Sequence, residues 1–107
     1  MEKKNTILGL DVSTKTIGVA LFEEGGNLLE LTHISPRPKP KPETKIGELI
    51  SKAEVFKTYI EKYKNLNVTK VIIEEPLLRS NNVNTVGTLL RYNGMVSKIC
   101  YDVLNVI

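Results

Sequence analysis

The chain has 107 residues, of which 41% are hydrophobic and 25% charged, and its net charge is +3 at pH 7. This length and composition predict one soluble globular domain and exclude a large multidomain enzyme. No apolar run reaches the roughly 18 residues of a membrane span and no signal peptide is recognisable, so we expect a cytoplasmic protein with no membrane partner. One cysteine and one histidine exclude a Cys/His zinc site, so any metal must bind to carboxylates.

Three short strands are predicted at the start of the chain. Residues 6–12 form a nearly continuous apolar run that ends in an acid, which is typical of a central strand buried on both faces. A β-branched run follows at residues 16–23, and a turn at residues 24–27 separates it from a third strand. Strands in such quick succession predict an antiparallel meander. Gly18, inside the second strand, predicts a β-bulge or a close approach by another backbone.

The rest of the chain predicts two helices and one more strand. Four alternating prolines in the Pro/Lys-rich segment 35–45 favour an extended surface loop. Apolar residues at helical spacing then predict amphipathic helices over about residues 45–64 and about 84–104, with a strand at 68–76 between them. The fold class is therefore α/β. Cys100 falls on the apolar stripe of the second helix, so we expect a buried side chain and not a nucleophile.

Two acids end the predicted central strands. A helical crossover from the meander predicts that the fourth strand lies parallel to the first and next to it. Asp11 and Glu74 would then lie at the carboxyl edge, where α/β sheets place their sites, while Glu75 would point to the opposite face from Glu74. Two carboxylates suit Mg²⁺ or Mn²⁺ and metal-assisted phosphodiester hydrolysis. From the residues alone, an acid that begins a turn and a solvated strand end explain the pattern equally well.

Two segments of the chain, ILGLDVSTKTIGVALFE and VIIEEPLLRSNNVNTVGTLLRYNG, carry a resemblance to a known family. In order and spacing they resemble the N-terminal portion of the RuvC-like Holliday junction resolvases, within the RNase H-like superfamily. The resemblance implies a single domain over residues 1–107 with an RNase H-like mixed sheet, in which strands 1 to 3 form an antiparallel meander and strand 4 is parallel. It also implies Mg²⁺-dependent (or Mn²⁺-dependent) cleavage of branched DNA, such as four-way junctions, by a homodimer. Asp11 and Glu74 match the first two of four catalytic, metal-binding carboxylates.

The chain departs from the family pattern at two places. The last two family carboxylates lie on a C-terminal helix beyond a fifth strand, and no such acidic segment is found in this sequence, where Asp102 is the only acid after Glu75. We therefore expect a C-terminally truncated fold that lacks this strand and helix, and an incomplete catalytic site. Leu77 or Leu78 stands where the family often has an aromatic residue, which argues against base stacking there.

Polar residues near both acids are candidates for contacts with DNA phosphates. The candidates are Ser13, Thr14, Lys15, Arg79, Asn81, Asn82 and Arg91. The residues alone favour solvated loop side chains, whereas the resemblance favours phosphate contacts for Lys15 and Arg79. The basic residues from Arg37 to Lys45 fit a DNA backbone contact and a solvated linker equally well.

Two other classes of function stay open. The opening hairpin is similar in layout to the ATP-binding hairpin of actin-like and sugar-kinase phosphotransferases, but Ser13 replaces a glycine and 107 residues are too few for two lobes. A non-catalytic DNA-binding module with vestigial acids is the other class. Within the RNase H-like fold, a group of ribosomal-RNA-processing nucleases has a similar first hairpin, and the acid pair after the fourth strand favours the resolvases over them.

Overall fold

The computed structural model describes residues 4–37, 42–74 and 83–106, and in the last range it describes side chains from Val86 onward. The elements in chain order are strands β1 (Thr6–Val12), β2 (Ile17–Glu23) and β3 (Leu28–Ile34), helix α1 (Lys45–Ile60), strand β4 (Val68–Ile73) and helix α2 (Val83–Leu104). A short 3₁₀ turn, Glu61–Tyr63, follows α1 directly. All six predicted elements are present, and the helix bounds agree with the prediction to within a few residues.

The four strands form one mixed sheet in the order β3-β2-β1-β4. Strands β1, β2 and β3 pair antiparallel, and β4 pairs parallel with β1, so the predicted topology is confirmed. Gly18 pairs regularly with Asp11 and His33, and a Cβ there would sit at an ordinary 3.5 Å from the Asp11 Cβ. The predicted bulge at Gly18 is therefore wrong. The β2–β3 register shifts between Leu21 and Phe22 instead.

Both helices cover the same face of the sheet, which we call the inner face. Its buried side chains on β1 and β2 are Leu8, Leu10, Val12, Ile17, Val19 and Leu21. They form one core with Leu49, Ala53, Phe56 and Ile60 of α1, with Tyr63, and with Tyr92, Val96 and Cys100 of α2. The alternating burial follows from strand geometry, because successive side chains point to opposite faces.

The opposite side, which we call the outer face, is covered by no described element. It carries Ile7, Gly9 and Asp11 of β1, Gly18, Ala20 and Phe22 of β2, Leu31 and His33 of β3, and Ile72 and Glu74 at the end of β4. All ten are half-buried or exposed. The expectation that β1 is buried on both faces is therefore wrong for the described part of the chain.

Helix α1 begins where its sequence predicts. The Thr44 hydroxyl caps it by accepting a hydrogen bond of 3.0 Å from the Gly47 amide. In the Pro/Lys-rich segment, residues 35–37 and 42–44 form neither strand nor helix, and residues 38–41 lie outside the described part of the chain. Neither α1 nor α2 is both long and apolar enough to cross a membrane, on a search of the described residues.

Candidate functional site

The two predicted acids lie side by side on neighbouring parallel strands. Leu10 of β1 pairs with Ile73 of β4, so Asp11 and Glu74 are the next residues along the two strands. The Glu74 amide donates a hydrogen bond of 3.3 Å to the Leu10 carbonyl and extends the ladder by one step. Leu10 and Ile73 pack in the core, so the side chains of Asp11 and Glu74 both extend from the outer face. Both acids are exposed to solvent.

A row of outer-face residues crosses the sheet at this level. Asp11 pairs with Gly18, and Gly18 pairs with His33 on the far strand. Because Gly18 has no side chain, the surface between the Asp11 carboxylate and the exposed His33 imidazole is open. No motif in the sequence points to His33. Only the register of both hairpins, which the turn lengths set, brings it into line with the acids.

The donor set at this edge fits one hydrated divalent cation. Carboxylate oxygens are hard ligands that Mg²⁺ and Mn²⁺ prefer, and Mg²⁺ is commonly held by one or two carboxylates together with water and substrate phosphates. Asp11 and Glu74 supply two such groups. Within residues 4–37, 42–74 and 83–106, no three His, Cys, Asp or Glu side chains come together as a metal site. The described residues therefore form an open edge and not a closed protein cage.

The turn after Asp11 holds three of the predicted DNA-contacting residues. The Ser13 hydroxyl donates to the Thr16 carbonyl at 2.8 Å and accepts from the Thr16 amide at 3.1 Å, so its single proton is used within the turn. Lys52 of α1 donates to the Thr14 carbonyl at 2.7 Å and fastens the turn to the helix. Lys15 is exposed and available for a contact with an anion.

Helix α2 brings further polar groups near the end of β4. The side-chain amide of Asn93 donates a long hydrogen bond of 3.5 Å to the Glu74 carbonyl, and Arg91 is exposed two residues earlier. Asp102, the later acid, instead forms an ion pair of 2.8 Å with Lys98 on the same helix.

Several predicted residues lie outside the described part of the chain. They are Glu75, Leu77, Leu78, Arg79, Asn81 and Asn82, and their roles stay predictions. Cys100 is described, and it is buried in the core as expected. Burial raises the pKa of its thiol to about 12, so the reactive thiolate is scarce at neutral pH.

A solved structure of RuvC from Thermus thermophilus is similar to this chain, with a TM-score of 0.60 and 15% sequence identity over 92% of this chain. The chain has an RNase H-like fold. The likeness spans 58% of the RuvC chain, so this RNase H-like sheet with its two helices corresponds to part of that protein. No family model and no curated protein matches the sequence. At this identity the comparison shows the RNase H-like fold alone.

Proposed function

We propose that this chain, as a single domain over residues 1–107, is a divalent-metal-dependent nuclease domain that acts on branched DNA, as a RuvC-like resolvase would. The observation that carries the proposal is the placement of Asp11 and Glu74 at adjacent carboxyl ends of parallel strands, on one face of the sheet. The fold supports it, because a solved structure of RuvC resembles the fold of this chain.

Asp11 and Glu74 are the residues that would hold Mg²⁺ or Mn²⁺. Such an ion, when bound, lowers the pKa of coordinated water and polarises the phosphoryl oxygens of a phosphodiester. The cationic side chains position the DNA by neutralising its phosphates, and these residues are Lys15, Arg79 and Arg91. Asn93 positions Glu74, because its side-chain amide donates a hydrogen bond to the backbone carbonyl of Glu74.

Two carboxylates with water and substrate phosphates are enough to hold one Mg²⁺ ion. A two-ion site needs oxygen ligands beyond this pair, so the catalytic site that we propose is incomplete in this chain. A homodimer is the matching assembly, because a four-way junction has two-fold symmetry and two identical subunits present their sites to it symmetrically.

The metal role is tested by titrating the protein with Mn²⁺ in a calorimeter. Asp11→Asn and Glu74→Gln keep the size of each side chain and remove its charge, so each is expected to weaken Mn²⁺ binding by about tenfold or more, as loss of a direct ligand should. Glu54→Gln, on an exposed position of α1, is the matched control and should leave binding unchanged. Undiminished Mn²⁺ binding by Asp11→Asn would contradict the proposed metal site.

A non-catalytic DNA-binding module is the second candidate, and the exposed cations Lys15 and Arg91 near the acids favour it, because they need no metal to bind phosphates. A labelled four-way junction and a linear duplex of the same length separate the two candidates. Mg²⁺- or Mn²⁺-dependent cleavage of the junction that is lost in Asp11→Asn supports the nuclease. Tight binding to the junction without cleavage in either metal, together with no Mn²⁺ binding in the calorimeter, supports the binding module.

A further inference from the structure

A cleft of about 570 Å³ lies at the same edge of the sheet as the two acids, on the side of α1. The turn after β1, the segment after β3 and the first turns of α1 form its walls. The described residues of its polar lining are Lys15, Thr16, Ser35, Arg37, Glu48 and Lys52. No motif in the sequence groups these residues, because they come from three separate parts of the chain.

The cleft has an excess of positive charge. Among the described lining residues, Lys15, Arg37 and Lys52 contribute three cations and Glu48 contributes one anion, which lies 3.5 Å from the Lys52 ammonium group. Lys52 is held in place, since only 14% of its side chain is exposed and it also donates to the Thr14 carbonyl. Lys15 and Arg37 form no ion pair with another described residue. Two cations without such partners in a concave site attract an anion.

Two hydroxyl groups add directional donors to this charge. The hydroxyl oxygens of Thr16 and Ser35 lie 3.4 Å apart in the cleft wall. A phosphate group accepts hydrogen bonds on several oxygens at once, and guanidinium, ammonium and hydroxyl groups are its usual donors. A lone phosphate would fill only a small part of a cleft of about 570 Å³, so there is space for the sugar that adjoins it.

The position of the cleft links it to the proposed metal site. Lys15 follows Asp11 by four residues, and the turn that carries it is fastened to α1 by Lys52. Asp11 and Glu74 extend from the outer face of the sheet, whereas α1 covers the inner face. A DNA strand that passes over this edge would therefore meet the acids on one side and the basic cleft on the other.

We propose that this cleft binds a backbone phosphate of the DNA substrate, at a distance from the phosphodiester that is cleaved. The inference rests on the proposed nuclease function. It gives the DNA backbone a second binding site besides the proposed metal site. Lys15 and Arg37 supply the charge, Thr16 and Ser35 supply hydroxyl donors, and Lys52 is a positioning residue that fixes the turn.

Binding of a fluorescent four-way junction, measured by anisotropy in EDTA at several salt concentrations, tests the cleft separately from metal chemistry. Lys15→Gln and Arg37→Gln are each expected to weaken binding by about tenfold at 0.1 M salt and to reduce the slope of log K against log[salt] by about 1. Lys57→Gln, an exposed lysine at the other end of α1, is the matched control and should have a much smaller effect. Circular dichroism checks that each variant is folded.

The outcomes separate the two proposals. If both cleft variants bind the junction like the control, the cleft proposal is wrong, even if the protein cleaves DNA. If the cleft variants lose binding while Asp11→Asn still binds Mn²⁺ normally, the cleft stands and the metal site fails. Inorganic phosphate and ATP form the second arm of the test. A thermal stabilisation by ATP that is lost in Lys15→Gln, without any change in junction binding, would assign the cleft to a nucleotide and overturn the proposal.

Discussion

The two faces of the sheet differ in what their side chains do. On the inner face, six side chains of β1 and β2 belong to the core, and the central ones are almost completely shielded from solvent. On the outer face, apolar side chains lie beside two glycines and two acids, and Leu31 is 73% exposed. The same strands therefore serve stability on one side and leave the other side available for chemistry.

The polar groups of the two faces differ in the same way. Glu30, on the inner side of β3, accepts hydrogen bonds from the buried Tyr63 hydroxyl at 2.7 Å and from Lys62 at 3.1 Å. By contrast, no hydrogen bond or ion pair joins the carboxylate of Asp11 or Glu74 to another described residue. The Glu30 carboxylate is satisfied within the fold, whereas the two carboxylates proposed for function are left to bind something else.

The largest loss of stability is expected from a substitution in the core on the inner face. Phe56 of α1 is fully buried, so Phe56→Ala removes a ring from the centre of the core and leaves a cavity. We expect a loss of about 3–5 kcal/mol in the free energy of unfolding, measured by urea denaturation. The adjacent Val55 is 41% exposed, and Val55→Ala should lose less than about 1 kcal/mol. Similar losses at both positions would contradict the assignment of the inner face as the core.

A smaller effect is expected from the polar network on the inner face. Tyr63→Phe removes the donor to Glu30 and the partner of the Tyr59 hydroxyl at 3.0 Å, and should cost about 1–2 kcal/mol. Tyr101→Phe, on a half-exposed ring of α2, is the control and should be nearly neutral. If the stability losses of Tyr63→Phe and Glu30→Gln simply add in the double mutant, the two groups are not coupled.

The effect of Tyr63→Phe should also depend on pH. Hydrogen bonds from Tyr63 and then Lys62 hold the pKa of Glu30 below its ordinary value of 4.5. The folded state therefore favours the ionised carboxylate, so the contribution to stability is complete above pH 4.5 and is lost as the pH falls through the lowered pKa. The difference in stability between the wild type and Tyr63→Phe should narrow in acid. A constant difference from pH 7 to pH 3 would show that Glu30 is not involved.

The sequence was sufficient for elements and their order, since local patterns determine both. The apolar run at residues 6–12 and the helical spacing of α1 are short-range features, and the crossover rule then placed Asp11 beside Glu74. Contacts between distant residues were not predictable. The Lys52 contact with the Thr14 carbonyl joins residues 38 positions apart, and the line from Asp11 to His33 depends on two hairpin registers. Neither has a local sequence pattern.

The smallest change in stability is expected from a substitution on the outer face. This prediction tests the difference between the two faces of the sheet most directly. Leu31→Ser replaces a side chain that is 73% exposed. Because Leu31 buries little apolar surface when the chain folds, the free energy of unfolding should change by about 0.5 kcal/mol or less. The same substitution at Leu21, which is 4% exposed on the inner face of the neighbouring strand, should lose about 3 kcal/mol or more. The two changes are chemically identical, so the difference between them reports the face alone. A large loss of stability in Leu31→Ser would mean that the outer face is covered in solution. It would then contradict the conclusion that the surface beside Asp11 and Glu74 is open.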